Sequence, residues 1–449
     1  MPRGFYGSLR YPVPRCAGLA REIGLLCVLS ALLLWPAAGA AQQASPQRTV
    51  TEKRLAQMDF TTLLPELIAV SPDNQHLAYG ARLGQKQVII RDGQAAQAYQ
   101  AILGGMLRFS PNSQRLAYGV QQDGKMFLVV DGKAAKPYAA LGLGTLRWGP
   151  DSQHVAYAAA LESRMRVVVA STEHPPYTAI VAESITVSPD SKRLAYGAAS
   201  GAQMLVVLDG QESPRYDALV ADSLRFSPDS QRLAYGVRQG QQWSVILAGQ
   251  PGAPYDGIGA GSIVLSPNGQ RLAYVAQVGQ QQHVVLDGQP GTLYQGIGVG
   301  SLTFSPDSQR LAYAANSAAD VWVAVVDGQP SHAYSAWVAG PVFSPDSRRL
   351  AYAVAREATK QVVVLDGRES PPYPAVKVGL LAFSPDSRHL AYGVQGDSGW
   401  AVALDGAPGK SYDTLFSLGG GTLVFATPDR LHYLATRGSD IYAVQEQLK

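Results

Sequence analysis

Ser227-Pro-Asp-Ser-Gln-Arg-Leu-Ala-Tyr235 is the stretch on which the fold turns. The same phrase, or a close variant, restarts at Ser71, Ser110, Gly149, Ser188, Ser266, Ser305, Ser344 and Ser384. The restarts lie 39 residues apart and stretch to 40 only at the last step. A unit of this length cannot bury its own apolar face, so successive units must stack on one another.

The unit is read by working outward from the phrase. Ser223-Leu-Arg-Phe-Ser227 is a short strand and Pro228-Asp229-Ser230 a turn. Proline presets the backbone for such a turn, and Asp and Ser bond their own local amides. From Arg232 the chain alternates, with Leu233, Tyr235 and Val237 on one face and small Ala234 and Gly236 on the other. Gln239 to Gln242 makes a hairpin, and Trp243 to Leu247 is a nearly continuous apolar third strand. Gly249 to Gly252 turns the chain again, and Tyr255 to Gly259 reads as a weaker fourth strand. Four short antiparallel strands per repeat describe a propeller blade. The apolar third strand suits a sheet covered on both faces. The small residue beside each second-strand tyrosine leaves room for the adjacent blade. The fold class is therefore all-β, a β-propeller of four-stranded antiparallel blades, nine to ten in number.

Tyrosine usage follows the repeat. Of 22 tyrosines, nine sit on second strands (Tyr79 to Tyr392) and nine more open the fourth (Tyr99 to Tyr412). The first ring is expected to pack, whereas the second lies near loops and has scope for partial exposure and ligand contact.

At the ends the pattern degrades. Leu67 to Val70 matches a first strand, while Thr422 to Phe425, Leu431 to Leu434 and Asp440 to Ala443 supply three strands of a tenth repeat. Residues 50–60, within a leader spanning 42–60, are expected to provide the fourth beside Ile441 and Tyr442. That closure makes one ten-bladed ring over 61–449. Two five-bladed rings, or nine blades with an irregular cap, are the alternatives.

Residues 1–41 are a different kind of sequence. Arg3, Arg10, Arg15 and Arg21 precede an uncharged apolar run of 13 residues, Ile23 to Trp35, and small residues follow up to Ala41. This is the layout of a cleaved secretory signal peptide, since the apolar run is shorter than the roughly 20 residues a spanning helix needs. Cleavage removes Cys16 and Cys27, the chain's two cysteines. A thiol-free chain suits an oxidising compartment. Cleavage also removes four of 37 basic residues and one of 34 acidic ones, leaving 33 of each. A neutral chain without a basic cluster is not expected to bind nucleic acid. The expected location is the bacterial periplasm or the extracellular space, with no stable membrane span after cleavage.

Phe226-Ser-Pro-Asp-Ser-Gln-Arg-Leu-Ala-Tyr235 and its copies resemble the WD-repeat-like, TolB-type propellers of exported bacterial proteins. The resemblance covers essentially all of the chain after the leader. It implies an interaction or ligand-binding platform. The array has more repeats than TolB and no α/β stretch before it, so a TolB role is not implied.

Motifs for chemistry are sparse. His76, His154 and His389 stand where other repeats carry Arg, and His174, His283, His332 and His432 fall in different blades without ligand spacing. No metal site, cofactor or catalytic residue is expected. Gly396-Asp397-Ser398-Gly399 looks like a protease nucleophile motif but falls in an ordinary hairpin. The Asp-Gly pairs (Asp92, Asp131, Asp209 and onward) read as turn chemistry, with Ala248 and Ser171 replacing the aspartate in two repeats. The repeat from Gly149 to Val187 is the irregular one, with Ser171 to Pro176 in place of Asp-Gly, and marks a candidate functional loop.

Two functions remain. The first is an exported, non-catalytic, monomeric binding scaffold presenting one propeller face to a protein, peptide or glycan. The second is a propeller enzyme of lactonase or glycosidase type, with its site in the central channel. First strands carry Arg108, Arg147 and Arg225 with almost no carboxylate, which suits anion binding better than acid–base hydrolysis. Those three arginines are the candidate ligand-binding residues.

Overall fold

A computed structural model describes residues 47–449 apart from residue 358. The expected signal peptide, residues 1–41, lies outside the described residues. Ten antiparallel sheets follow one another along the chain. Blades 1 to 9 begin at residues 63, 101, 140, 179, 218, 257, 296, 336 and 376, and blade 10 at 414. The inner strands of successive blades touch in an unbroken series, and that of blade 1 meets the turn Leu418–Gly420 of blade 10. The ring is therefore closed around a central channel bordered by the inner strands.

Blade 5 shows how the repeat is used. Its inner strand comes in two pieces, Ala218–Leu219 and Arg225–Phe226, both paired with the second strand Leu233–Gln239. The third strand is Gln242–Leu247 and the outer strand Gln250–Pro251. This corrects the expected fourth strand. Tyr255 only bridges Trp243, and Gly257 and Ile258 already pair with Gln277 and Ala276 of blade 6. The reversal sits at Ala248-Gly249, with φ of 49° and 82°, rather than at Gly249 to Gly252. Two left-handed residues in succession make the tight hairpin whose twist matches the strands. In blade 3 the equivalent pair is Ala170-Ser171, so Ala170, and not Ser171, occupies the aspartate position.

Each of ten apolar clusters straddles one junction between blades. Tyr235 and Val237 pack toward blade 4 with Val206 and Tyr216, while Ala234 packs toward blade 6 with Ile263 and Tyr274. The two small residues thus do different work. Ala234 admits the next blade, whereas a Cβ on Gly236 would lie 2.5 Å from Val220 in its own inner-strand loop. Continuity across blades 5 and 6 excludes two separate five-bladed rings.

Eight of the nine tyrosines of the second ring are buried rather than partly exposed, Tyr138 at 2% and Tyr216 at 5% accessible, and Tyr255 alone of the nine stays partly exposed. From Tyr138 to Tyr412 each meets the second-strand tyrosine of the following blade edge to face, as in Tyr138–Tyr157 and Tyr216–Tyr235, with centroids 6.4 and 6.3 Å apart, whereas Tyr99 meets Phe127. A ring that opens at a loop is buried because the neighbouring blade covers it.

Blade 10 takes its outer strand from Arg48–Gln57, which pairs with Asp440–Leu448. Leu55, Ala56 and Met58 join a cluster with Leu77 and Tyr79 of blade 1 and Leu434 and Ile441 of blade 10. Arg48 pairs with the fully buried Glu446 at 2.8 Å and donates to Ala407 O of blade 9 at 2.7 Å.

The nine-residue phrase also stitches blades together. Ser188 Oγ donates to Asp190 Oδ1 and accepts from Arg193 N, which shapes the turn. Asp190 N donates to Ser230 Oγ of the next blade at 3.1 Å. Arg193 pairs with Asp209 of the hairpin at 2.8 Å, donates to Gln231 O and lies over Phe226, both in the next blade. His76 and His389 take the arginine's place, with Asp92 and Asp405 at 2.7 and 2.6 Å. At the junction of blades 5 and 6 the turn keeps its own bonds through Ser227, but the ion pair and the ties to the next blade are missing. Ala248 replaces the hairpin aspartate, Gly269 the serine and Leu265 the aromatic ring, and Arg232 Nη2 is buried without a partner. Ala248→Asp combined with Gly269→Ser is expected to raise stability by about 1 kcal/mol. Thermal unfolding checks this, with Asp209→Ala at an intact junction expected to lower stability by a similar amount.

Candidate functional site

The channel wall is built from the inner strands. Between their two halves the chain loops out, and a hydroxyl replaces the missing ladder bonds. Ser223 Oγ donates to Val220 O at 2.7 Å and accepts from Gly236 N at 3.1 Å. Thr145, Ser184, Ser262 and Ser301 do the same in blades 3, 4, 6 and 7. The loops lean on one another around the wall: Gly261 N donates to Ala221 O at 3.2 Å. A Cβ on Gly144 would lie 2.8 Å from Glu183 of the next blade.

Apolar side chains stand exposed in these loops. Leu143, Val299, Val378 and Leu418 are 57%, 97%, 64% and 61% accessible. Leu143, Val299 and Val378 hold the same position in blades 3, 7 and 9, five residues before the closing aromatic, and Leu418 lies in the longer turn of blade 10.

The three arginines all lie on inner strands, one residue before the aromatic that closes each strand. The corresponding residues elsewhere, such as Thr186, Val264, Thr303 and Val342, carry no charge. The positive arc therefore spans blades 2, 3 and 5. The structure brings only two of the three together. Arg108 and Arg147 share Glu183 of blade 4, Arg147 by a direct ion pair and Arg108 at 4.0 Å. Burial, aided by the Arg147 charge and opposed by Glu183, pulls the Arg108 pKa down. Arg225 stands apart and pairs with Asp222 at 2.9 Å.

The strands that carry the arginines hold no carboxylate, and the acids that meet them come from the loops. Glu183 and Asp222 sit in the loops between the strand halves rather than on the strands. Glu183 is 36 positions from Arg147, so only the stacking of blades reveals the pair. Three arginines against two carboxylates leave the arc with an excess positive charge.

The other candidates resolve locally. Among the described residues no group of three or more His, Cys, Asp and Glu is placed to hold a metal ion. The Asp-Gly aspartates serve the turn and also pair with the repeat's arginines, as Asp131 does with Arg115 at 2.7 Å. Asp397 and Ser398 are the two turn residues of a hairpin in which Gly396 faces Gly399, and Ser398 Oγ lies 2.8 Å from Ser411 Oγ. In the irregular repeat, Glu173 accepts from Lys136, Tyr138 and Arg166, a structural knot between blades 2 and 3. Burial holds His174 below the ordinary histidine pKa, against the Tyr196 ring.

The described residues form a closed ten-bladed β-propeller of antiparallel blades. No protein-family model matches it, and no curated protein does. Solved structures of propellers are similar to it at low identity. A eukaryotic initiation factor is 12% identical over 76% of this chain and 96% of its own, with a TM-score of 0.46. The Dos1 propeller is 13% identical over 72% and 95%, with a TM-score of 0.37. The β-propeller domain of Cps50 from Myceliophteria thermophila is 13% identical over 59% and 96%, with a TM-score of 0.31. The fold assignment rests on the strand pairing of this chain. Among the described residues no helix is long and apolar enough to cross a membrane.

Proposed function

We propose that this protein is an exported, non-catalytic binding scaffold of the TolB-type propeller family, acting as a monomer in the periplasm or outside the cell. Its ligand is an acidic, partly apolar segment of a protein or peptide partner, bound at the channel wall. The observation that carries this reading is the pairing of the arginine arc with exposed Leu143, Val299, Val378 and Leu418 on the same inner strands and loops. A segment with alternating acidic and aliphatic residues matches both. The amino-terminal basic flank and apolar run support export. The enzyme alternative fits less well. Paired carboxylates for glycoside chemistry must be free to protonate or attack, and here Glu183 and Asp222 are each bound to an arginine.

The test is a labelled peptide of alternating Glu and Leu, titrated against the wild type and an Arg108→Glu, Arg147→Glu, Arg225→Glu triple variant. At least a tenfold loss of affinity is expected in the variant, with wild-type binding weakening as salt screens the charges. Equal affinity for the two proteins overturns the reading.

A further inference from the structure

In seven blades the hairpin after the third strand returns an aspartate to the start of the second. Its Oδ1 accepts the amide proton of the first second-strand leucine at 2.8–2.9 Å, from Leu77 in blade 1 to Leu390 in blade 9. Its Oδ2 lies 2.6–3.1 Å from the Arg or His just before that leucine. Blades 3 and 5 carry alanine instead, Ala170 and Ala248. Blade 3 compensates within its own turn, where His154 Nδ1 meets Asp151 at 2.9 Å. Blade 5 does not.

The frame that holds the carboxylate elsewhere is nonetheless complete in blade 5. Ala248 and Gly249 have φ of 49° and 82°, against 52° and 83° for Asp209 and Gly210. Ala248 N donates to Leu233 O at 2.9 Å, as Asp209 N does to Leu194 O. Ser227 Oγ accepts from Arg232 N at 2.9 Å, as Ser188 Oγ does from Arg193 N. The Ala248 methyl therefore stands where an aspartate Cβ stands, exposed at the surface. Two donors are left without an acceptor among the described residues, the Leu233 amide and Arg232 Nε. Arg232 Nη2 is closed off from solvent, but Nε is not. Asp229, the acid of the same turn, is engaged by Ser227 Oγ and Gln231 N.

We propose that the notch beside Ala248 binds a carboxylate from outside the chain. One oxygen accepts from the Leu233 amide and the other from the Arg232 guanidinium, as the aspartate oxygens do in other blades. A planar carboxylate facing a guanidinium makes charge-assisted bonds, which are stronger than neutral ones. A free monocarboxylate and the carboxylate that ends a peptide share this chemistry. None of these residues belongs to the channel arc, so the site stands or falls independently of the ligand proposed there.

The probes are formate, formamide as its uncharged counterpart, and N-acetylglycine, each added to the ¹⁵N-labelled protein. Formate is expected to shift the Leu233 amide and Arg232 Nε–H resonances saturably and to raise the unfolding temperature in step with its concentration. Formamide is expected to do neither. N-acetylglycine binding at least fivefold tighter than formate identifies a peptide end as the ligand, and otherwise the ligand is a free acid. Ala248→Asp supplies the carboxylate from within and is expected to abolish the response. Asp209→Ala opens the same notch in blade 4 and is expected to bring the Leu194 amide into the formate response. An unmoved Leu233 amide, an equal response to formamide, a response that survives in Ala248→Asp, or an unmoved Leu194 amide in Asp209→Ala overturns the proposal.

Discussion

A chain that begins at Asp59, and so lacks the closing strand, is expected to lose cooperative thermal unfolding. Arg48–Gln57 is the outer strand of blade 10, so its removal bares the edge of Asp440–Leu448. It also strips Leu55, Ala56 and Met58 from the cluster that joins blades 10 and 1. Full burial of Leu55 and Met58 contributes about 1.5–3 kcal/mol for each side chain. Glu446, with no accessible surface, loses Arg48, and stranding one charge of a buried pair costs about 3–5 kcal/mol. Together these rival the 5–15 kcal/mol by which domains are ordinarily stable, roughly. A peptide covering residues 47–58, supplied separately, is expected to restore part of the transition. An unfolding curve identical to that of the full chain contradicts the closure.

The second large effect is alkaline unfolding. Burial, reinforced by the neighbouring tyrosine, pushes Tyr118 from 10.0 up to about 12. Burial, with Glu212 beside it, takes Tyr177 up to about 12. Tyr196, Tyr235 and Tyr274 are displaced upward too, again chiefly by burial. A phenol charges by losing its proton, so a raised folded value means that the fold holds the neutral form more tightly than the unfolded chain does. The stability this contributes is whole below pH 10 and is lost as pH climbs from 10 toward 12 and beyond. Each such tyrosine withdraws up to about 1.4 kcal/mol per pH unit in that window. Because the rings pair across every junction from blade 2 to blade 10, the losses accumulate over most of the ring. Unfolding by circular dichroism and the rise of phenolate absorbance are expected to coincide in one steep transition above pH 10. Gradual phenolate titration around pH 10 in a protein that stays folded contradicts the buried rings.

Much of the architecture was legible because the signals are short-range. The Ser-Pro-Asp-Ser turn, the Leu-Ala-Tyr strand start and the Asp-Gly hairpin each act within a few residues, and their period carries the stacking with them. What sequence reading missed depends on neighbours one blade away. Contiguity alone makes Tyr255 to Gly259 read as one strand, yet the chain passes there from one sheet to the next. The second tyrosine ring looked peripheral because the covering residue lies in the following blade, as Tyr157 covers Tyr138. The hairpin aspartates were legible as turn formers, but their bonds to arginines at the start of the second strand, 16 residues away for Asp131 and Arg115, were not.

At the channel the arginines were legible and their carboxylates were not, since Glu183 reaches Arg147 from the next blade. The exposed loop residues were invisible because nothing local distinguishes Val299 from a buried valine. Ala248 carried a usable signal: setting Leu247-Ala-Gly249 against Leu208-Asp-Gly210 shows an alanine in the aspartate position.

The channel wall as the ligand surface is the central claim, and site-specific photo-cross-linking tests it most directly. A photoreactive residue is placed in turn at Leu143, Val299 and Val378, and at Glu212 and Gln250 on outer strands, in the mature protein within a native envelope extract. Saturable adducts to one partner are expected from the channel positions alone, and they are expected to fade in the Arg108, Arg147, Arg225 reversal variant. Adducts from the outer strands instead, or channel adducts that the reversal leaves unchanged, contradict the account.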